Sequence, residues 1–179
     1  MPHGIFYPAS QLIYLRLEGA LDVMRLKKIL PSLRDTLQIN SEFDTFIDLS
    51  ETTDIESSYA SISALVSTTE ALYRAHPVPR KYAFWAPGDL AFGTCRMFEQ
   101  IAQDRLPSEF LVSRDAAEAM SFLGRRETTV PMLITALNDE RDDAQAGPSA
   151  PLAGSTNAPF RSLSAPLEEM LNMRRRCLP

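Results

Sequence analysis

The feature that most constrains this chain is the alternation of strand-like and helix-like apolar patterns over its first 124 residues. The segment Leu12–Gly19 alternates apolar and polar residues, which is the period of a strand covered on one face. Lys81–Ala86 is almost continuously apolar, as expected for a strand buried on both faces. Phe43–Ser50 and Glu109–Ser113 are two further predicted strands, and segments with helical spacing separate the four. Because helices lie between the strands, the connections are crossovers and the sheet is predicted to be mainly parallel.

The predicted fold class is therefore α/β, with one domain over residues 1–124. It has a mixed, mainly parallel sheet of four or five strands and about four helices, and Gly4–Pro8 is the candidate for a short edge strand. Near the end of this part, Asp115 and Glu118 have the spacing of a capping box and Gly124 is suited to stop the helix. We expect the domain to end at that glycine.

Residues 125–179 differ in composition from the domain. Asp139–Pro159 is rich in Ala, Gly, Pro and Ser, and a segment with so few bulky residues is predicted to stay mostly disordered. Before it, Val130–Leu137 is apolar enough to form a turn of helix against the domain. After it, residues 164–176 carry early glutamates and late arginines, an order that suits the helix dipole and predicts a short helix.

Charge excludes several classes of function. The chain has a net charge of −5 and a pI near 5.1, whereas a nucleic-acid-binding protein needs a basic face. No apolar run approaches the ~18–20 residues that span a bilayer, so stable membrane insertion is not expected. The N-terminus lacks the pattern of a secretory signal, and two cysteines do not imply a disulfide framework. These features predict a cytoplasmic protein.

A first motif lies between the second predicted strand and the helix that follows it. Asp48-Leu49-Ser50 is followed after "ETTDI" by Glu56-Ser57-Ser58-Tyr59. This spacing resembles the STAS superfamily, in which a strand ending in Asp-Leu-Ser precedes Asp-Ser-Ser/Thr-Gly at a helix start. The resemblance extends to anti-sigma-factor antagonists, where the first serine of the pair is phosphorylated. It implies that Ser57, with Ser58 beside it, is a candidate phosphorylation site and that Asp48 and Tyr59 are candidate partner contacts.

Ordinary helix capping is the alternative interpretation of the serine pair. Serine is a favoured N-cap residue whether or not it is phosphorylated, so the helix is predicted to begin at Ser57 or Ser58. Glu56 and Tyr59 stand where the family has aspartate and glycine.

A second motif, "YAFWAPGDLAFGTCRMFEQI", resembles the SpoIIAA-like (STAS/SEC14-like) family of small bacterial proteins. That resemblance implies a binding function directed at a ligand or lipid. Gly93 and Arg96 are the candidate contacts, because an arginine near a helix start can hold an anion. The alternative is that Gly93 permits close packing and Arg96 pairs with Glu99.

The remaining chemistry argues against catalysis. The histidines are His3 and His76, no serine lies in a nucleophile-elbow pattern, and Cys95 is expected to be a buried structural residue. The carboxylates between Asp48 and Glu56 lack calcium-loop spacing and are interpreted as a solvated acidic loop. We therefore predict no catalytic residues, no metal and no cofactor.

The predicted function is a non-catalytic cytoplasmic regulatory module that binds a protein partner or a small apolar or anionic ligand. The alternative is a phospho-regulated anti-sigma-factor antagonist, switched at Ser57 and partnered by a kinase-like anti-sigma factor.

Overall fold

A computed structural model of the chain describes residues 2–7, 10–36, 43–75 and 79–145. The strands are β1 (Pro2–Tyr7), β2 (Leu12–Leu17), β3 (Gly19–Asp22), β4 (Asp44–Asp48), β5 (Thr52–Glu56), β6 (Lys81–Trp85) and β7 (Glu109–Ser113). The helices are α1 (Val23–Thr36), α2 (Tyr59–Ala75), α3 (Asp89–Ala102), α4 (Ala116–Phe122) and α5 (Val130–Gln145). None of these helices has both the length and the apolar character that crossing a bilayer requires.

The main sheet has five strands in the order β1-β2-β4-β6-β7. Strands β2, β4, β6 and β7 are mutually parallel, and β1 pairs antiparallel with β2 at the edge. The predicted α/β class, the mainly parallel mixed sheet and the short edge strand are confirmed. Because the connections between the parallel strands are crossovers, the carboxyl ends of these strands meet at one edge of the sheet.

A second, two-stranded sheet lies beyond this edge and was not predicted. Gly19, at φ +71°, is separated from β2 by Glu18 alone and opens β3, which pairs in parallel with β5. The Gly19 amide donates to the Glu51 carbonyl at 2.9 Å, and the Thr52 hydroxyl donates to the Leu17 carbonyl at 2.8 Å. The interpretation of the whole acidic segment as a loop is therefore wrong for Thr52–Glu56. The sequence does not predict β5 because Ile55 is the only buried residue of this strand, so no apolar pattern marks it.

Helices cover both faces of the main sheet. On one face α1, α2 and α3 pack on the sheet through residues such as Val23, Ile62 and Cys95. On the other face α4 and α5 pack on Tyr14 and Phe46. The side chains of each strand alternate between these two cores, which explains why the strand patterns contain so few polar residues.

Helix α5 extends the packed unit beyond the boundary expected at Gly124. It has 16 residues instead of the expected turn, and Leu133 and Leu137 are fully buried against the sheet. The turn of helix expected over Val130–Leu137 is present as part of a longer helix, and the expected disorder is wrong for Asp139–Gln145. The second half of this helix is polar because it faces solvent and forms ion pairs, which made its composition resemble that of a loop. The rest of the tail, including the helix predicted over 164–176, lies outside the described residues.

Candidate functional site

Three helices begin at the same edge of the molecule, and each exposes a large apolar side chain in its first turn. Helix α1 follows β3, α2 follows β5 and α3 follows β6, and the three helices pack side by side. The exposed fractions are 41% for Met24, 68% for Tyr59 and 51% for Leu90. We call these three residues the apolar row. Among the described residues the other exposed large hydrophobic side chain is Met132, on α5 across the sheet.

Acidic side chains surround the apolar row. Glu51, Asp54, Glu56 and Asp89 are all exposed, and we call them the acidic rim. Within the described part of the chain, no ion pair involves Asp54 or Glu56. The edge is therefore an apolar surface in a negative field, an arrangement suited to contact with a basic protein segment.

Two arginines near this edge are already paired, whereas Arg25, beside Met24, is exposed and forms no ion pair within the described residues. Arg16 lies 3.0 Å from Glu18 and 3.8 Å from Glu51. Arg114 forms an ion pair of 2.6 Å with Asp89, and its guanidinium lies 4.5 Å from the centre of the Phe92 ring. Arg16 and Arg114 neutralise part of the local negative charge, and they present no isolated cation to an anionic ligand.

The two serines before α2 have different roles. Ser58 is the N-cap: its hydroxyl accepts a hydrogen bond from the Ser61 amide at 3.1 Å, and the Ser61 hydroxyl accepts one from the Ser58 amide at 2.8 Å. This reciprocal pair is a capping box in which serine replaces the usual glutamate. Ser57 is exposed, and its hydroxyl makes no hydrogen bond to another described residue. Of the two predicted helix starts, Ser58 is the one that caps.

Asp48 lies inside the protein. It is 1% exposed, and its carboxylate accepts hydrogen bonds from the Tyr14 hydroxyl at 2.7 Å and from the Ser50 amide at 2.9 Å. Burial, reinforced by the hydrogen bond to Asp48, raises the pKa of Tyr14 well above its usual range. Asp48 therefore supports the end of β4 from within, and the structure does not bring it to the surface with Tyr59, the other candidate contact of that motif.

Gly93 and Arg96 lie on α3, across the sheet from Asp48. The Arg96 guanidinium forms an ion pair with Glu99 on the same helix, as the alternative interpretation expected. Desolvation by burial raises the pKa of Glu99, although Arg96 opposes the shift. Gly93 is exposed, and a Cβ atom placed there would meet no atom within 4 Å, so the expectation of close packing at this glycine is wrong.

Groups with catalytic or metal-binding potential are dispersed. Cys95 is buried, and desolvation raises the pKa of its thiol to about 12, so the thiolate is scarce at neutral pH. In the described ranges no group of three or more His, Cys, Asp or Glu side chains is arranged to hold a metal ion. His76, the histidine considered for a triad, lies outside the described residues.

Sequence reasoning identified Tyr59 but missed Met24 and Leu90. The available signal was an apolar residue directly after an aspartate at a helix start, as in Asp89-Leu90. Such a residue lies in the first turn, where the helix projects beyond the sheet that would otherwise cover it.

Comparison with known proteins gives one structural likeness. The chain is similar to an uncharacterised protein of the DUF3478 family from Shewanella loihica PV-4, described as having a SpoIIAA-like fold. The two share 16% sequence identity, with 63% of this chain and 83% of the other covered, at a TM-score of 0.37. The description of the Shewanella protein names the same fold family that the sequence motifs of this chain resemble. A TM-score this low supports no inference about function. No protein-family model matches the chain, and no curated protein matches it significantly.

Proposed function

We propose that this protein is a non-catalytic cytoplasmic regulatory module that binds a protein partner through the apolar row and the acidic rim. The observation that carries the proposal is the exposure of Met24, Tyr59 and Leu90 at the starts of three adjacent helices. The backbone that carries these side chains is already ordered in helices, so binding orders side chains and not a loop, which favours their use as contact residues.

Surface shape and charge favour a protein over a small ligand. The three side chains belong to separate helices, so their contact surface is broad, and tyrosine is among the residues that most often dominate binding energy at protein interfaces. Arg16, Arg96 and Arg114 each pair with a carboxylate, so among the arginines near these helix starts Arg25 is the one without an ion pair in the described residues. The acidic rim would repel anions and attract a partner with basic residues.

The proposal is tested by substituting the apolar row and the exposed methionine on the opposite face. Capture from cells of the native host is compared for the wild type, Tyr59→Ser, Leu90→Ser and the control Met132→Ser. We expect the first two variants to lose about 5- to 150-fold in affinity for the same partner, equivalent to ~1–3 kcal/mol per contact residue. Met132→Ser is expected to bind as the wild type does.

Circular dichroism and thermal unfolding establish that all three variants fold. If folded Tyr59→Ser and Leu90→Ser bind every captured protein as tightly as the control, the proposed surface is wrong.

A second candidate function is supported by the accessibility of Ser57. The exposed Ser57 hydroxyl makes no hydrogen bond to another described residue, whereas the Ser58 hydroxyl accepts a hydrogen bond from the Ser61 amide. Ser57 is therefore the more accessible of the two serines to a kinase. A phosphate there would add negative charge to the acidic rim and weaken binding of a basic partner. The protein would then act as a phospho-regulated anti-sigma-factor antagonist.

Paired charge substitutions test this second candidate. Ser57→Asp is expected to abolish binding to the partner, while Ser57→Ala preserves it. Ser121→Asp is the matched control, because it adds the same charge at an exposed position of α4, across the sheet from the rim, and it should bind as the wild type does. Equal binding by Ser57→Asp and Ser57→Ala would dismiss the switch.

A further inference from the structure

The apolar row and the acidic rim together specify the chemistry of what can cover them. An occupant must bring apolar side chains for Met24, Tyr59 and Leu90, and positive charge for the exposed carboxylates around them. Asp54 and Glu56 are the carboxylates most available to it, since neither takes part in an ion pair within the described residues. The best match is therefore a short amphipathic segment with a cluster of basic residues.

Such a segment is present in this chain. Residues 160–179 contain four arginines and two glutamates, a net charge of +2, whereas the whole chain carries −5. Leu167, Met170 and Leu171 have helical spacing, so in the helix predicted over residues 164–176 they would lie on one face, and Leu163 comes just before that helix. Arg174–Arg176 follow directly, which places concentrated positive charge beside this apolar pattern.

We infer that the segment Leu163–Arg176 docks on the apolar row of its own chain, with its arginines against the acidic rim. A docked segment would cover the surface that the protein partner needs and would therefore compete with the partner. This competition rests on the proposed function. Binding of the partner would require the segment to leave.

The intervening chain is long enough for this contact. Glu140 of α5 accepts a hydrogen bond from Ser10, just before β2, so the helix passes the edge of the sheet opposite the apolar row. The parallel strands β4, β6 and β7 have five residues each, a span of about 17 Å. The 17 residues of 146–162 separate α5 from Leu163, and flexible chains of that length have a mean end-to-end distance of roughly 20–25 Å.

Tethering makes even a weak contact effective. A short flexible linker gives its two ends an effective concentration in the millimolar range, so docking with a dissociation constant near 1 mM would cover about half of the molecules. The apparent affinity for the partner falls in proportion to the uncovered fraction. If nine tenths of the molecules were covered, release of the segment would raise partner affinity about tenfold. Contacts between the arginines and the rim would weaken as salt increases.

The chain contains a reporter position suited to the test. Cys177 directly follows the three arginines, while Cys95 is buried with a thiol pKa raised to about 12. A nitroxide maleimide at neutral pH is therefore expected to label Cys177 in the full chain, and Cys177→Ser is expected to take up no label. Paramagnetic broadening of amide resonances then locates the residues that Cys177 approaches.

We expect broadening at Met24, Tyr59 and Leu90 and none at Met132. Replacing Arg174, Arg175 and Arg176 by glutamate should abolish it, because the charges would then repel the rim, and so should the Tyr59→Ser/Leu90→Ser double variant. Even broadening along the chain, or broadening centred elsewhere, would overturn the inference. So would broadening transferred to an isotope-labelled chain that carries no nitroxide, since the occupant would then be a second copy.

The two proposals fail in distinguishable ways. If partner capture depends on Tyr59 but the nitroxide leaves the apolar row unaffected, the docked segment is wrong and the proposed function stands. If the nitroxide broadens the apolar row but capture is independent of Tyr59, the proposed function is wrong and the docked segment stands.

Discussion

Neighbouring residues of the same type can have unrelated roles, as Ser57 and Ser58 illustrate. Ser58 and Ser61 exchange hydrogen bonds that satisfy amides at the start of α2, whereas the Ser57 side chain faces solvent. The backbone amides in the first turn of a helix have no partner within the helix, so the cap contributes to stability and its exposed neighbour does not.

We predict that Ser58→Ala lowers the free energy of unfolding by about 1 kcal/mol, the usual cost of losing a serine cap. Ser57→Ala is the matched control and should change it by less than ~0.5 kcal/mol, as is usual at exposed positions. Urea denaturation of the two variants provides the measurement. A larger loss for Ser57→Ala than for Ser58→Ala would contradict the cap assignment.

Tyr14 is expected to make the folding stability of the protein fall at alkaline pH. Burial and the hydrogen bond to Asp48 hold its folded-state pKa above the ordinary value of 10.0. The folded state therefore retains this proton more tightly than the unfolded state. The resulting stability is complete below pH 10 and is lost as pH rises from there through the folded-state pKa.

We predict that the free energy of unfolding falls above pH 10 in the wild type and falls less in Tyr14→Phe. At neutral pH this variant is also less stable by about 1–3 kcal/mol, because the buried Asp48 carboxylate loses the Tyr14 hydroxyl and keeps the Ser50 amide as a hydrogen-bond donor. Denaturation at pH 8, 10 and 11 measures both effects. Tyr59→Phe removes an exposed hydroxyl and should retain the wild-type pH dependence; the same profile in Tyr14→Phe would refute the explanation.

At the scale of elements, α5 is fastened by a small group of ion pairs around Arg125. Its guanidinium contacts Glu127 at 2.9 Å and Glu140 at 2.7 Å, and Glu140 also accepts a hydrogen bond from Ser10. The hydrogen bond from Arg125 lowers the pKa of Glu140. Burial alone would raise the pKa of Glu127, but its hydrogen bonds with Arg125 and with backbone amides outweigh burial and lower it.

We predict that α5 opens more readily in acid. Both carboxyl groups have lowered folded-state pKa values, so their contribution is present above the ordinary pKa of 4.5 and is lost as pH falls through the folded values. Arg125→Gln should remove this dependence and destabilise α5 by about 1 kcal/mol, a modest figure because Glu140 is partly exposed. Hydrogen exchange of α5 amides measures the opening, and the exposed neighbour provides the control Arg126→Gln. Unchanged exchange in Arg125→Gln would contradict the assignment.

Gly93, on α3, has open surroundings, so a substitution there is expected to stabilise the protein. A Cβ atom there meets nothing within 4 Å, and glycine in a helix interior costs ~0.5–1 kcal/mol relative to alanine. We predict that Gly93→Ala stabilises the protein by that amount in thermal or urea denaturation. Gly124→Ala is the contrasting variant and should destabilise, because this glycine has φ +74°. Destabilisation by Gly93→Ala would indicate a constraint at this position that the fold does not explain.

At the scale of the whole molecule, α5 shares one core with the strands that begin the chain. Leu133 and Leu137 are fully buried in a cluster that includes Tyr7 and Leu12. We predict that Leu133→Ala lowers the free energy of unfolding by about 2–5 kcal/mol, the cost of a large-to-small change in a core. Met132→Ala, one residue earlier on the exposed side, should change it by less than ~0.5 kcal/mol. Similar small effects of both substitutions on urea denaturation would mean that α5 is not part of the core.

The fold could be predicted because its strands carry strong patterns. Lys81–Trp85 has enough apolar residues to show that both its faces are covered, and the parallel arrangement follows from the helices between the strands. Leu12–Leu17 is a strand as predicted, but the expectation that only one face is covered is wrong, because Leu12, Ile13 and Tyr14 are all buried. Strands β3 and β5 gave no such signal, because they are short and Ile55 is the one residue in them that is buried. Helix α5 was underestimated because its charged half carries no apolar pattern.

The candidate site was less predictable, because exposure is a property of the assembled molecule. The sequence suggests that Asp48 is a surface carboxylate. Its hydrogen bond with Tyr14 joins two strands and residues 34 positions apart, so no local pattern reveals that Asp48 is buried. Met24 and Leu90 read as ordinary core positions, and only the packing of α1 and α3 leaves them uncovered. Tyr59 was identified through its place in a motif, although its side chain could have been packed against the domain.

The contact between Ser10 and Glu140 also has a consequence for how the protein is made. It joins residues 130 positions apart, near opposite limits of the described chain. Synthesis proceeds from the N-terminus, so the face of the sheet that includes Tyr7 and Leu12 is formed from segments that leave the ribosome well before α5. Until that helix emerges, α4 is the one described helix on this face, so the part of the face that Leu133 and Leu137 bury stays exposed to solvent on the nascent chain.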